Sequence, residues 1–181
     1  MRISSSIQMT LLLASFLLFI TQSCAQNIPS DKPTVLNPQF DQKIRSMLRF
    51  DVPLISIAEL KAKQGEVLLF DAREKKEFDV SHIEGAQYIG YNSFNASILQ
   101  DIPKDKEIVL YCSIGYRSEK IGERLQKMGY TNVYNLYGSI FEWVNQGHTV
   151  VDQNGKRTNI VHGYNKNWSQ WLDETKVKKT C

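Results

Sequence analysis

The sequence predicts an α/β fold in which a mostly parallel sheet of about five strands carries helices on both faces. Two observations support this prediction: short apolar runs recur along the chain, and segments of helical periodicity separate them. Continuous apolar runs are typical of strands buried on both faces. Their alternation with helices is typical of a parallel sheet that is covered on both sides.

Five strands are predicted in the central part of the chain. The clearest helix starts at Ser118 and ends at Met128, because apolar residues at spacings of three and four lie on one helical face. Gly129 follows it, where a helix commonly ends. Shorter helices are predicted from residue 58 and over residues 139–144. The strands are predicted at residues 53–57, 66–70, 88–89, 106–111 and 133–136.

Residues 153–181 depart from this alternation and are predicted as a C-terminal extension with a short helix. Tyr164, Trp168, Trp171 and Leu172 fall on one side of that helix within two turns. We interpret them as the apolar face of an amphipathic helix docked on the sheet layer. A platform for a ligand is the alternative.

The N-terminus is typical of an export signal. Arg2 is the only charged residue before Asp31, and residues 9–20 are almost wholly apolar, a run too short to span a bilayer comfortably. Residues 1–24 are therefore predicted as a signal peptide. Cys24 follows Ser23 as in the end of a bacterial lipoprotein box, which predicts lipidation of Cys24 as the mature N-terminus.

Two alternatives remain open for this segment. Ser23 and Ala25 suit an ordinary signal-peptidase cut after Ala25, and an uncut anchor is the third interpretation. All three predict export to the periplasm or cell envelope, with membrane contact only through a lipid anchor or an uncleaved signal. Residues 25–45, where three prolines stand among polar residues, are predicted as a linker.

Composition excludes several functional classes. Charged residues make up 23% and hydrophobic residues 42% of the chain, which excludes a wholly disordered chain and a polytopic membrane protein. The net charge of +3 with no Lys/Arg stripe predicts no nucleic-acid partner. Three cysteines are too few for a disulfide scaffold. His148 and His162 lack ligand spacing, so no metal site or cofactor is predicted.

The segment Cys112–Ser118 joins a buried strand to a helix, at the edge of a parallel sheet where ligands bind. Such a loop can turn its N–H groups inward as an anion site next to a helix N-terminus, and Gly115 permits the backbone angle that this needs. A cysteine there has its pKa lowered from about 8.5 into roughly the 3.5–7.5 range. Cys112 is therefore a candidate nucleophile, and Arg117 a planar cation for an oxyanion substrate. A plain buried cysteine is the alternative.

The Cys-x-x-Gly-x-Arg-Ser loop resembles the active-site signature of the rhodanese-like sulfurtransferases. Two further segments resemble this family: residues 71–86, with Asp-Ala-Arg and His-Ile-Glu-Gly-Ala, and residues 129–143. We therefore predict a rhodanese-like domain over residues 46–152. Ser81 and Ser139 stand where the family usually has glycine. Both lie outside the Cys112 loop, so these differences are expected to affect local turn geometry more than the chemistry.

The resemblance implies a sulfurtransferase. The Cys112 thiolate takes sulfur from a small anionic, thiosulfate-like donor as a persulfide and passes it to a thiol or cyanide, in two covalent steps. Asp71 and Arg73 are interpreted as a structural ion pair, and His82 as a packed, hydrogen-bonded residue. The substrate-binding residues implied are Ser113, Ile114, Gly115, Tyr116, Arg117 and Ser118, whose amides hold the sulfur while Arg117 helps to bind the donor.

Three alternatives to this function remain. The first is phosphatase chemistry on a related fold, but such enzymes place five residues between cysteine and arginine, whereas four separate Cys112 from Arg117 here. The second is a non-catalytic binding or regulatory module, and the third is a persulfide carrier for a protein partner. A separate hypothesis makes Cys181 a resolving thiol that forms a disulfide with Cys112.

Overall fold

A five-stranded parallel sheet forms the centre of the computed structural model, which describes residues 33–181. All four pairs of neighbouring strands are parallel, which confirms the predicted α/β fold. In chain order the strands are β1 (Leu54–Ile55), β2 (Leu68–Asp71), β3 (Gln87–Tyr88), β4 (Ile108–Tyr111) and β5 (Val133–Leu136), and their order in the sheet is β1-β5-β4-β2-β3.

Helices cover both faces of this sheet, as predicted. Alternate residues of β4 point to different hydrophobic clusters: Val109 packs in one and Leu110 in the other. The first cluster takes the apolar residues of α1, α2 and α5, and the second takes those of α4. The helices are α1 (Pro38–Arg45), α2 (Ile57–Ala62), α3 (Lys75–Val80), α4 (Tyr116–Lys127), α5 (Ser139–Asn145) and α6 (Lys166–Ser169), with a 3-10 turn at Ala96–Leu99.

Helix α1 corrects the predicted linker. The Asn37 side chain accepts hydrogen bonds from the N–H groups of Gln39 and Phe40 and so caps the helix, and Pro38 occupies the first turn, where proline is favoured. Phe40 and Ile44 are fully buried in the first cluster. The linker prediction is therefore wrong for residues 38–45. Pro38, one of the three prolines on which that prediction relied, begins a helix instead.

Short strands at residues 150–180 run from just before the C-terminal extension into it. β6 (Val150–Val151) and β7 (Arg157–Thr158) form an antiparallel pair, and β8 (Ile160–His162) pairs in parallel with β9 (Lys178–Thr180). The helix predicted here is only the single turn α6, and turns follow it before β9 begins at Lys178. Buried Val161, Leu172 and Val177 join the first cluster, so the extension belongs to the same compact unit as the sheet.

An ion pair between Asp71 and Arg73 lies in the interior, as the sequence analysis predicts. The Arg73 Nη2 atom is 2.6 Å from the Asp71 Oδ2 atom, and both side chains are completely buried. Arg73 also donates to the carbonyl oxygen of Ser81, at 2.6 Å. The pair therefore ties the end of β2 to the residue that follows α3. Nearby, His82 stacks on Phe78 and bonds to its carbonyl oxygen, which confirms a packed histidine.

The predicted signal segment, residues 1–24 with Cys24, lies outside the described residues. Its export and lipidation therefore stay predictions. Within residues 33–181, no helix is both long and apolar enough to cross a bilayer.

Candidate active site

Cys112 follows the central strand β4 and opens the short loop that leads into α4. Its Sγ atom accepts a hydrogen bond from the Gly115 N–H at 3.2 Å, and its side chain is buried. Gly115 has a φ of 117°, a left-handed value that a side chain would strain. This glycine therefore lets the loop turn an N–H group toward the sulfur.

Buried polar side chains hold the loop from the β5 side. The Ser118 hydroxyl donates to the Asn135 Oδ1 atom at 2.7 Å, and the Asn135 Nδ2 group donates to the Gly115 carbonyl at 3.0 Å. Sequence analysis missed Asn135. The signal available was a polar residue inside an otherwise apolar strand, which needs a buried hydrogen-bond partner.

Ser139 fixes the other side of the loop. Its hydroxyl accepts a hydrogen bond from the Cys112 N–H and donates one to the Leu136 carbonyl, both at 3.1 Å. Its φ of 53° is left-handed, the conformation that the glycine common at this position of the family adopts easily. The serine therefore keeps the turn and adds a hydrogen bond to the backbone of Cys112.

Arg117 is engaged by Glu77, a carboxylate to which the sequence analysis assigned no role. Its guanidinium donates to both carboxylate oxygens of Glu77, at 2.6 and 2.8 Å, and to the Ser113 hydroxyl at 3.0 Å. Glu77 is fully buried on α3. Burial raises the pKa of Glu77, but the hydrogen bonds and charge of Arg117, the Glu74 N–H and the charge of Arg73 together outweigh it. The net shift of the pKa is downward, so the carboxylate is ionised. The positive charge predicted to bind the donor is therefore already paired.

The loop also favours the thiolate form of Cys112. Burial raises the pKa of the Cys112 thiol, whereas the charge of Arg117 and hydrogen bonds from the backbone of Ser118 and Ile114 lower it. The lowering effects are the larger, so the pKa of this thiol lies below its ordinary value. A larger share of Cys112 is thus a nucleophilic anion near neutral pH.

This shift predicts the pH dependence of alkylation. The thiolate reacts, so the rate at Cys112 should rise as pH increases through the pKa and reach half its plateau at a lower pH than an ordinary cysteine does. Arg117→Met should move this midpoint upward, since it removes the positive charge that lowers the pKa of Cys112 and offsets the effect of burial. The measurement is iodoacetamide labelling followed peptide by peptide, with exposed Cys181 in the same sample as the internal reference. A Cys112 midpoint at or above that of Cys181 would contradict the expectation.

A cavity of about 510 Å³ opens above Cys112. Of the six loop residues implied to bind substrate, Ser113, Ile114, Tyr116 and Arg117 line it. Gly115 and Ser118 do not line the cavity, but they support the loop through the hydrogen bonds described above. The remaining lining residues are Met47, Glu74, Lys76, Glu77, Tyr91, Asn92, Tyr164 and Trp168.

Part of the cavity wall comes from the C-terminal extension, which changes the interpretation of its aromatic residues. Trp171 stacks on Phe40 and Leu172 is buried, as docking on the core requires. Tyr164 is 48% exposed, and its ring centre lies 5.0 Å from the guanidinium carbon of Arg117. Docking is therefore correct for Trp168, Trp171 and Leu172, which pack in or against the first cluster. Tyr164 and one side of Trp168 also line the cavity.

Residues 33–181 contain one further cysteine, Cys181. Cys112 is buried and Cys181 exposed, and both are free thiols. In this part of the chain no group of three or more His, Cys, Asp or Glu side chains is placed to hold a metal ion.

Residues 56–146, half of the chain, match the family model of the rhodanese-like domain. The chain belongs to the rhodanese-like domain family. The loop from Cys112 to Ser118 and its partner Glu77 lie inside the matched range, whereas Met47, Tyr164 and Trp168 lie outside it.

Curated relatives of this rhodanese-like chain carry more than one name. It is 35% identical over 82 residues to the probable adenylyltransferase/sulfurtransferase MoeZ of Mycobacterium tuberculosis, a match that covers 45% of this chain and only 21% of MoeZ. It is 32% identical over 100 residues to a sulfurtransferase of Allochromatium vinosum, covering 55% of this chain and 92% of that protein. A tRNA uridine(34) hydroxylase of Erwinia tasmaniensis is 34% identical over 83 residues, covering 43% of this chain and 24% of the hydroxylase.

The rhodanese-like fold is also shared with solved structures. The rhodanese-like domain of an Anabaena protein superposes with a TM-score of 0.51 at 18% identity, covering 55% of this chain and 79% of that domain. At this identity the likeness shows the common fold. The family and the sulfurtransferase-named relatives together support an activity of the sulfurtransferase type.

Proposed function

We propose that this protein is a sulfurtransferase in which the Cys112 thiolate accepts a sulfur atom as a persulfide and passes it to a thiol or cyanide. The observation that carries the proposal is the Cys112 Sγ atom, which accepts the Gly115 N–H at the base of an open cavity and has a lowered pKa. A cysteine buried only for packing would have a raised pKa instead.

The reaction proceeds in two displacements. The thiolate attacks the outer sulfur of a donor such as thiosulfate, the S–S bond breaks, and sulfite leaves with the bonding electron pair. The Gly115 N–H bonds to the Cys112 Sγ atom, and the start of α4 stabilises the negative charge that the terminal sulfur of the persulfide takes up. An acceptor thiolate then attacks this outer sulfur, forms the acceptor persulfide and restores the Cys112 thiolate. Neither step needs a cofactor, and ping-pong kinetics follow from the covalent intermediate.

The alternatives receive less support from the site. Four residues between Cys112 and Arg117 make a smaller loop than the phosphatase one, which suits a single sulfur atom better than a tetrahedral phosphate. A non-catalytic module has no use for a cysteine whose thiolate is favoured. A carrier that delivers sulfur to a protein partner uses the same Cys112 persulfide and differs only in its acceptor. Export to the periplasm or envelope remains part of the proposal.

Intact mass spectrometry of the full chain tests this function. Incubation with thiosulfate, mercaptopyruvate or polysulfide should add the mass of one sulfur atom, peptide mapping should place it on Cys112, and cyanide should remove it. No gain with any of the three donors, or sulfur found only at Cys24 or Cys181, would refute the proposal.

A further inference from the structure

The cavity above Cys112 is much larger than an inorganic sulfur donor or cyanide needs. Its volume of about 510 Å³ falls within the range of roughly 300–1,000 Å³ that pockets for organic ligands occupy. An anion of a few atoms would contact the Cys112 loop alone and leave the outer walls unused.

The charges that line this cavity give no net attraction for an acceptor that carries a negative charge of its own. Two carboxylates, Glu74 and Glu77, face two cations, Lys76 and Arg117, so their formal charges cancel. One of these cations, Arg117, already donates hydrogen bonds to both carboxylate oxygens of Glu77. Once Cys112 carries sulfur, the charge of its persulfide makes the site net negative. An acceptor with a further negative charge besides that of its reacting thiolate is then repelled in a partly desolvated cavity.

The outer walls are aromatic and apolar. Tyr116 comes from the Cys112 loop and Tyr91 from the segment after β3, while Tyr164 and Trp168 come from the C-terminal extension and Met47 from the segment after α1. Tyr116 and Tyr164 keep more than a third of their surface exposed, so their rings are open to a ligand. Aromatic faces of this kind bind planar or apolar groups.

We propose, on the basis of the sulfur transfer proposed at Cys112, that the acceptor is an organic thiol with an aromatic or similarly bulky apolar group and no negative charge besides that of its reacting thiolate. Tyr164 and Trp168 select it by packing against that group. Its thiolate attacks the outer sulfur of the Cys112 persulfide; the S–S bond to Cys112 breaks, the Cys112 thiolate leaves, and the acceptor carries the sulfur away as its own persulfide. No oxidant or reductant is consumed.

The test compares acceptors on the full chain after Cys112 has been loaded from polysulfide. Benzyl mercaptan represents the proposed class and mercaptoethanesulfonate a small anionic thiol, and loss of the sulfur is followed by intact mass. The same pair reacting with cysteine persulfide in solution gives the intrinsic ratio of rates. The protein should favour benzyl mercaptan over mercaptoethanesulfonate by about tenfold more than the reaction in solution does. This factor is expected because one aromatic contact and the charge repulsion act together.

Variants of the C-terminal wall identify the residues responsible. Tyr164→Asn removes the ring and introduces a residue that tolerates the observed φ of 65°. It should lower the preference for benzyl mercaptan about two- to tenfold. Trp168→Ala should lower it similarly. Ile160→Ala is the matched control, because Ile160 is an exposed apolar residue of the same extension outside the cavity.

The outcomes separate this inference from the function on which it rests. A preference equal to the intrinsic ratio, or one that both wall variants leave unchanged, overturns the acceptor assignment while sulfur transfer at Cys112 stands. Failure to load Cys112 from any donor overturns both.

Discussion

Replacing Cys112 by serine is expected to lower sulfur transfer by at least about a thousandfold, because the nucleophile of a covalent mechanism acts as a unit with its site. A serine oxygen cannot form the persulfide on which both displacements depend. The fold should survive, since a hydroxyl is smaller than the thiol and the Gly115 N–H can still donate to it. Turnover with thiosulfate and cyanide, with circular dichroism as a check on folding, measures the effect.

Cys181→Ser is the matched control for this variant. Cys181 is exposed at the end of the chain and outside the cavity lining, so its replacement should leave turnover unchanged. A large loss in Cys181→Ser would assign Cys181 a part in the reaction, as a resolving thiol would have. Retained turnover in Cys112→Ser would remove Cys112 as the nucleophile.

The Arg73→Met variant is expected to lose about 3–5 kcal/mol in its free energy of unfolding, the cost of leaving one charge of a buried pair without its partner. Methionine fills much of the arginine's volume, so the loss reports on the Asp71 carboxylate and on the Ser81 carbonyl that Arg73 also bonds. Because a domain is stable by only about 5–15 kcal/mol, this is a large fraction of the total. Urea denaturation measures it as a shift of the midpoint.

Arg49→Met provides the comparison. Arg49 pairs with Asp51 at 3.1 Å, but the two side chains are 72% and 48% exposed, so the loss should be no more than about 1 kcal/mol. Similar losses for the two variants would show that burial does not determine the strength of the Asp71–Arg73 pair.

Local patterns in the sequence were sufficient for the sheet and the Cys112 loop. The apolar run before Cys112 predicts the strand seen at Ile108–Tyr111, and the spacing of apolar residues predicts most of α4. Each of these elements is determined by residues that are neighbours in the chain, since periodicity and turn residues act within one element. The same is true of the Asp71–Arg73 pair, whose members are two residues apart.

Only the tertiary structure decided the electrostatics and the outer wall of the site. Glu77 pairs with Arg117 across 40 positions of sequence, and this pairing changes Arg117 from an open anion site into part of a neutral wall. Tyr164 reaches the cavity because β8 and β9 pair and hold the extension beside the loop. Contacts between distant segments depend on how the packed elements meet, and no local pattern of apolar or charged residues records that arrangement.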